Sequence, residues 1–420
     1  MAATRYRWFV VFLLFAVTVA NYVDRSAIAY AIPAIKRELG LSPGDVGTIL
    51  GAFGLGYAVT TLFGGFAVDR YGARLVLTVA VALWSLSIGA TALASGVMSF
   101  YLARTLLGVA EGPNFPAMSG AINVWLAPRE RATALGGALV AVPIALAIGG
   151  PIASTLLVWF GWRGAFVALF LLSIAWVPLW WLCFRDDPAK SGRVDAAELA
   201  RIKGEGPSRP SRHGPLRLAD IGALLRNPTL LANDWAFFVF GYFLFFFMSW
   251  LPSYLVEAYG LDIKAVGLFT VLPWAAAAVA LIAVGRLSDY LLQATGRLRV
   301  ARSYIIVATQ LVTALAVVPV AFTHDLGVAI GAITVAVAAS MGGNAAYAAT
   351  NLDVTPGRAA SAFGIMEFAF ALAGFAAPAI TGWVLGLRGS FEDCFLLMAA
   401  LALSSVAVVL LFHHPDRDRA

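Results

Sequence analysis

Gly64-Gly65-Phe66-Ala67-Val68-Asp69-Arg70-Tyr71-Gly72-Ala73-Arg74 interrupts two long apolar runs with a short cluster of glycine and charge. Each residue type has a physical use there. Gly65 lets two helices approach closely, Gly72 permits a tight turn, and Asp69 can accept hydrogen bonds from the N-terminus of a neighbouring helix in one conformation. Arg70 and Arg74 suit an anionic membrane leaflet and also hold the loop. A plain basic anchor is the bland alternative; a gating latch made of Gly65, Asp69, Arg70, Gly72 and Arg74 is the favoured reading.

The composition around this loop excludes a water-soluble enzyme. Of 420 residues, 61% are hydrophobic and 12% charged, whereas soluble chains carry roughly 25% charge. A bilayer-spanning helix needs about 20 apolar residues, so twelve would use roughly 240 positions. Apolar spans lie near 8–29, 47–68, 75–95, 97–119, 133–158 and 164–184, then near 234–256, 266–285, 303–322, 326–350, 360–386 and 391–412. These are numbered helix 1 to helix 12. The fold class expected is all-α and polytopic, with a six-helix half over 1–184, a linker over 185–230 holding a short amphipathic helix near 194–202, a second half over 231–412 and a tail over 413–420.

The first span follows Arg5 and Arg7, exceeds a signal-peptide core and has no small-residue cleavage site, so it should be retained. Cys183 and Cys394 lie in apolar runs and read as packing residues, with neither a disulfide framework nor a metal site. Of the 29 lysines and arginines, 22 fall on the side of the termini and linker and five on the other, Lys36, Arg37, Arg163, Lys264 and Arg388. Basic residues are retained on the cytoplasmic side, so both termini and the linker should be cytoplasmic in a multi-pass inner-membrane protein. The net charge of +6 is then a topology signal. Nucleic-acid binding has no support, because no basic cluster is interleaved with exposed aromatics.

Repetition relates the halves. Gly65-Phe66-Ala67-Val68-Asp69 after helix 2 recurs as Gly285-Arg286-Leu287-Ser288-Asp289 after helix 8, and Arg131-Ala132-Thr133-Ala134-Leu135-Gly136 before helix 5 resembles Arg358-Ala359-Ala360-Ser361-Ala362-Phe363-Gly364 before helix 11. Two related halves around a midplane cavity are the architecture of a rocker.

Charges left inside spans are Asp24, Arg25, Arg104, Glu111 and Glu367. Each would cost about 2.5 to 3.5 kcal/mol unpaired at a helix centre, so they should share a polar cavity. Arg104 and Glu111 are seven residues apart, returning to within about 20° of one helix face. A buried packing network is the alternative, but apolar residues would serve stability as well. Asn344 and Tyr347, three apart, can face the same cavity. Phe237 to Phe247 reads as lipid-facing or packing, with Tyr242 the one candidate for the cavity, and the Gly136-Gly137 and Gly149-Gly150 pairs read as close-packing sites.

The Gly-x-x-x-Asp-Arg-x-Gly-x-Arg loop with twelve spans divided six and six resembles the major facilitator superfamily over essentially the whole chain. Asn21-Tyr22-Val23-Asp24-Arg25, the stretch from Arg104 to Pro116 and Phe247-Met248-Ser249-Trp250-Leu251-Pro252-Ser253-Tyr254 are similar to its anion:cation symporter family, which includes sugar-acid permeases and sialin-type carriers. The resemblance implies that Tyr22, Arg25, Tyr57 and Arg104 surround an organic anion, Arg104 gripping its carboxylate, while Asp24 and Glu111 take up protons. The chemistry agrees: a guanidinium presents a planar fork to a carboxylate, and a carboxyl group in an apolar cavity can load and release a proton.

Two positions depart from the family. Val142, in Leu139-Val140-Ala141-Val142-Pro143, stands where sugar-acid permeases tend to carry Gln, and Glu367 replaces a common Asn. Glu367 is a third titrating group, a hydroxyl acceptor, a determinant of a partly cationic substrate, or a packing partner of an arginine. Asn344, Tyr347 and Glu367 complete the expected substrate-binding set. The expectation is a proton-coupled importer of a sugar acid or other carboxylate, monomeric and with no cofactor besides the coupling proton. An exporter or antiporter, an anion exchanger, and a transporter-like sensor are the alternatives.

Overall fold

The computed structural model describes residues 4–203, 222–355 and 358–418; the linker stretch 204–221 lies outside them. The described residues are helical, with no strand. Helix 1 is Tyr6–Leu39. The continuous stretch Pro43–Ala92 reverses at Gly72, where φ is 80°, into helix 2 (43–71) and helix 3 (73–92). Helix 4 (97–125) is Val97–Glu111 and Asn114–Trp125 with Gly112-Pro113 between. Pro128–Cys183 reverses at Gly161 into helix 5 (128–160) and helix 6 (162–183).

After the linker helix Ala196–Lys203 come helix 7 (Pro228–Tyr259), helix 8 (263–295), helix 9 (299–322), helix 10 (326–354), helix 11 (Ala359–Arg388) and helix 12 (Glu392–Phe412). Nine helices among the described residues are long and apolar enough to cross a membrane. Two of them reverse into hairpins at Gly72 and Gly161, and broken helix 4 adds one more, which gives the twelve expected crossings.

Helices 2 and 4 pack backbone to backbone. A Cβ at Gly56 would stand 2.1 Å from the Thr105 carbonyl oxygen, and one at Gly108 2.1 Å from that of Phe53. Small residues give this approach where no hydrophobic force operates between helices in lipid. It fixes Phe53 and Tyr57 of helix 2 against Arg104 and Glu111 of helix 4.

The halves touch on the side away from the termini. Gly47, Gly51 and Gly54 of helix 2 meet the helix 11 backbone from Ala371 to Gly382, and Gly150 of helix 5 meets Gly267 and Thr270 of helix 8. Tyr30 bonds Thr270 at 2.9 Å, and Lys36 pairs with Glu257 at 2.8 Å. Along the same helices toward the termini, a Cβ at Gly65, Gly136, Gly137 or Gly364 would meet nothing within 4 Å. The glycine contacts between the halves thus lie on the far side, and none of these four glycines nearer the termini packs against the other half. Gly64, not Gly65, makes the close approach, against Pro113, and the close packing expected at Gly136-Gly137 is not found, a Cβ at either meeting nothing within 4 Å.

The loop at Gly72 is held by an unforeseen residue. Asp186, just past helix 6, accepts the Arg74 backbone N–H at 3.0 Å, and its carboxyl occupies the space a Cβ at Gly72 would need. Arg74 donates to the Trp181 carbonyl at 2.6 Å and stacks on that indole. Asp69 and Arg70 are exposed. The linker helix also docks: buried Glu198 accepts the Tyr6 and Arg7 backbone N–H groups and the Arg7 guanidinium, which reaches Glu130 at 2.9 Å, itself paired with Arg201.

Candidate functional site

Beneath the seal, helices 1, 2 and 4 enclose Arg25. Its Nε and Nη2 both donate to Glu111 Oε2, at 2.9 and 2.6 Å, and Nη2 reaches Asn21 Oδ1 at 3.3 Å. The guanidinium lies 4.5 Å from the Tyr22 ring, 4.4 Å from Phe53 and 5.2 Å from Tyr57. Both members of the pair are buried. Stripping a buried pair of one partner costs about 3–5 kcal/mol, since the other charge is stranded.

Arg104 is the less satisfied cation. It stands 5.3 Å from Phe53 on the same ring as Arg25, its Nη1 makes only a long 3.5 Å contact to the Arg25 carbonyl, and its buried Nε has no partner. A buried guanidinium with an unused N–H has the donor geometry that suits a carboxylate. Asn114, just past the break in helix 4, is buried with both amide atoms unpartnered, as is Thr105 Oγ1.

Two expectations change here, and one open choice is decided. Asp24 does not share the cluster around Arg25: it points to helix 6, where Ser173 Oγ donates to its carboxylate, because adjacent helical residues diverge by roughly 100°. Tyr347 does not share a cavity face with Asn344. It is buried in its own half against Phe237 and Phe240, with its hydroxyl accepting from Gln310 Nε2 at 2.9 Å, while Asn344 is only half-buried. Tyr242 is likewise buried, and of the two readings of the run from Phe237 to Phe247 the structure takes packing within the protein, apart from half-buried Phe238. Phe237, Phe240 and Phe245 surround Phe370 of helix 11.

Glu367 lies on helix 11 within electrostatic reach of Arg25, Tyr22 and Tyr57 across the divide between the halves. The structure thus brings together Tyr22, Arg25, Tyr57, Arg104, Glu111 and Glu367, sets Asp24 to one side, and leaves Tyr347 apart. Phe53, Asn21 and Asn114 were missed. The asparagines carried a signal, as amides within apolar spans; Phe53 carried none, being one phenylalanine among 28.

Two six-helix halves sealed at one end, with paired and unpaired charges at mid-depth, define a membrane transporter rather than an enzyme. The profile of the Major Facilitator Superfamily matches residues 14–341, and the chain belongs to that family. It is similar to the hexuronate transporter of Bacillus subtilis (strain 168), 35% identical over 411 residues covering 97% of this chain and 94% of that one. It is also similar to a probable sulfoacetate transporter of Cupriavidus necator, 32% identical with 94% and 90% covered. Its fold matches a bacterial homolog of the human lysosomal transporter Spinster, in the inward-facing and occupied conformation, with a TM-score of 0.81 at 18% identity over 100% of this chain and 99% of that one.

Proposed function

We propose that this chain imports an organic anion, a sugar acid or other carboxylate, by proton symport and alternating access. It works as a monomer in the inner membrane with its termini and linker cytoplasmic, and it needs no cofactor beyond the coupling proton. The observation that carries the reading is the contrast between two buried guanidiniums on one phenyl ring: Arg25 bonded twice to Glu111, and Arg104 paired with no carboxylate among the described residues. The anion docks on Arg104. Protonation of Glu111 breaks its pair and turns Arg25 toward the same anion, so proton and substrate are bound together. Asp24, on Ser173, is the second proton site, coupled through helix 1. The relatives named for hexuronate and sulfoacetate support an anionic substrate.

Charge sets the energetics. Moving one negative charge inward against an inside-negative potential costs about 2.3 kcal/mol per 100 mV, which one proton cancels and two reverse. Uptake into proteoliposomes tests this. Wild type should accumulate the anion under an inward proton gradient, faster with an inside-negative potential, while Glu111→Gln should retain exchange and lose accumulation. Accumulation intact in Glu111→Gln, or slowed by the potential in wild type, would sink the coupled model.

A further inference from the structure

Glu367 has no role in that scheme, and its position is specific. It lies four residues from Ala371, whose carbonyl packs against Gly54 in the seal, and Tyr57 follows Gly54 by three residues on helix 2. At 1.5 Å per residue Tyr57 stands about 4.5 Å and Glu367 about 6 Å below that contact, on the side of the termini. Glu367 is half-buried there, and among the described residues no hydrogen bond or ion pair reaches it. Arg25, the nearest cation, is already engaged by Glu111. The first half therefore offers Arg104, which no carboxylate among the described residues pairs with, beside an unused Nη1 of Arg25, and the second half offers the carboxylate of Glu367.

An ionised carboxylate is acceptor-only, so what it can take from a substrate is a hydrogen-bond donor. We infer that Glu367 is the specificity residue for the end of the substrate remote from its carboxylate, and that the substrate is a carboxylate whose other end carries hydroxyl or ammonium donors. Such a molecule bridges Arg104 on one half and Glu367 on the other. This rests on the anion-transport reading and says which anions satisfy it. A carboxylate without donors leaves Glu367 buried and unmatched when the halves close, and sites built to hydrogen-bond a substrate reject analogues that lack the group.

The test is ligand competition on the purified full chain with hexuronate, 6-aminohexanoate and hexanoate, which share six carbons. Wild type should prefer one of the donor-bearing acids over hexanoate by about 10- to 100-fold, the equivalent of one charge-assisted hydrogen bond. Glu367→Leu should erase that preference. Glu367→Gln, neutral but still an acceptor, separates the sources: it keeps most of a hydroxyl preference and loses an ammonium preference. Equal binding of hexanoate in wild type, a measurement that needs no variant, overturns the inference, as does a preference that survives in Glu367→Leu. Arg104→Ala distinguishes the two levels of failure: if it binds all three acids normally, the anion reading falls and this inference with it. If Arg104→Ala loses them while Glu367→Leu keeps the preference, this inference falls alone.

Discussion

Replacing Gly54 by alanine should tip the balance between the two faces of the transporter. The added Cβ would stand 2.3 Å from the Phe375 backbone nitrogen and 2.4 Å from the Gly374 carbonyl carbon. Both are backbone atoms of helix 11, with no flexible side chain to swing aside. Ordinary contact begins at 3.4 Å, so helices 2 and 11 must part by about 1 Å, and overpacking of this kind costs about 1–3 kcal/mol. The clash exists only while the far side is sealed, so the whole cost falls on that state and shifts the equilibrium roughly 5- to 150-fold toward opening there. Spin labels at Lys36→Cys and Glu257→Cys, in a chain whose Cys183 and Cys394 are replaced, would read the change as growth of a longer-distance population. Gly56→Ala is the control, since its Cβ meets Thr105 within the first half; it should lower the melting temperature without moving the labels. An unchanged distance distribution in Gly54→Ala, or the same shift in Gly56→Ala, would refute the assignment of the seal.

Two further outcomes are expected. His413, just beyond helix 12, is buried with Nδ1 on Ser303 Oγ at 2.7 Å, and burial, helped by nearby His414 and Arg299, pushes its imidazole down to about 4. The unfolded chain binds that proton near pH 6.5, so the stability is fully present above about 6.5 and is lost as pH falls toward 4, on the order of 3 kcal/mol in all. Thermal unfolding at pH 5 and 7.5 should differ less in His413→Asn than in wild type; an equal difference would assign the effect elsewhere. Glu198→Ala should release the linker helix, because Glu198 receives the Tyr6 and Arg7 backbone N–H groups as well as the Arg7 guanidinium. Amide exchange over 196–203 should quicken by more than about tenfold while helix 12 is unaffected, one lost charge-assisted bond being enough for that factor. Unaltered exchange would mean that the linker helix is held by other contacts.

What the sequence made legible was whatever the bilayer forces into composition. Helix 1, the Gly72 reversal and the buried positions of Arg25, Arg104 and Glu111 follow from the cost of putting charge or unpaired backbone in hydrocarbon. Pairing within the site was not legible in the same way. Asp24 and Glu111 are both carboxylates within reach of helix 1 in any twelve-span reading, and only the rotation of helix 1 against helices 4 and 6 decides that Glu111 takes Arg25 and Asp24 takes Ser173. Tyr347 shows the same limit, since a spacing of three places two residues on one face without saying whether that face looks into the cavity or into the bundle. Asp186 and Glu198 were hidden for another reason: both lie in the polar linker, where a charged residue is ordinary and carries no signal.

The seal itself says something about how the site can govern it. Its helix 2–helix 11 part is built from Gly47, Gly51 and Gly54 against helix 11 backbone, so opening it breaks no buried ion pair and exposes little polar surface. The joint between helices 5 and 8 is likewise made of glycine and hydroxyl groups, and its flanking pair Lys36–Glu257 is partly exposed and therefore worth little. A contact of that kind has a small intrinsic bias, which a difference of a few kcal/mol at the centre can overrule. The charges at mid-depth supply such a difference. With Arg104 unmatched, bringing the second half down over the site would bury a guanidinium with no anionic acceptor; with an anion shared by Arg104 and the Arg25 that protonated Glu111 releases, the net charge is the same but both guanidiniums face an acceptor. Glycine at the seal and charge at the centre are thus complementary choices: the first keeps the closed face easy to open, and the second makes reorientation depend on what is bound.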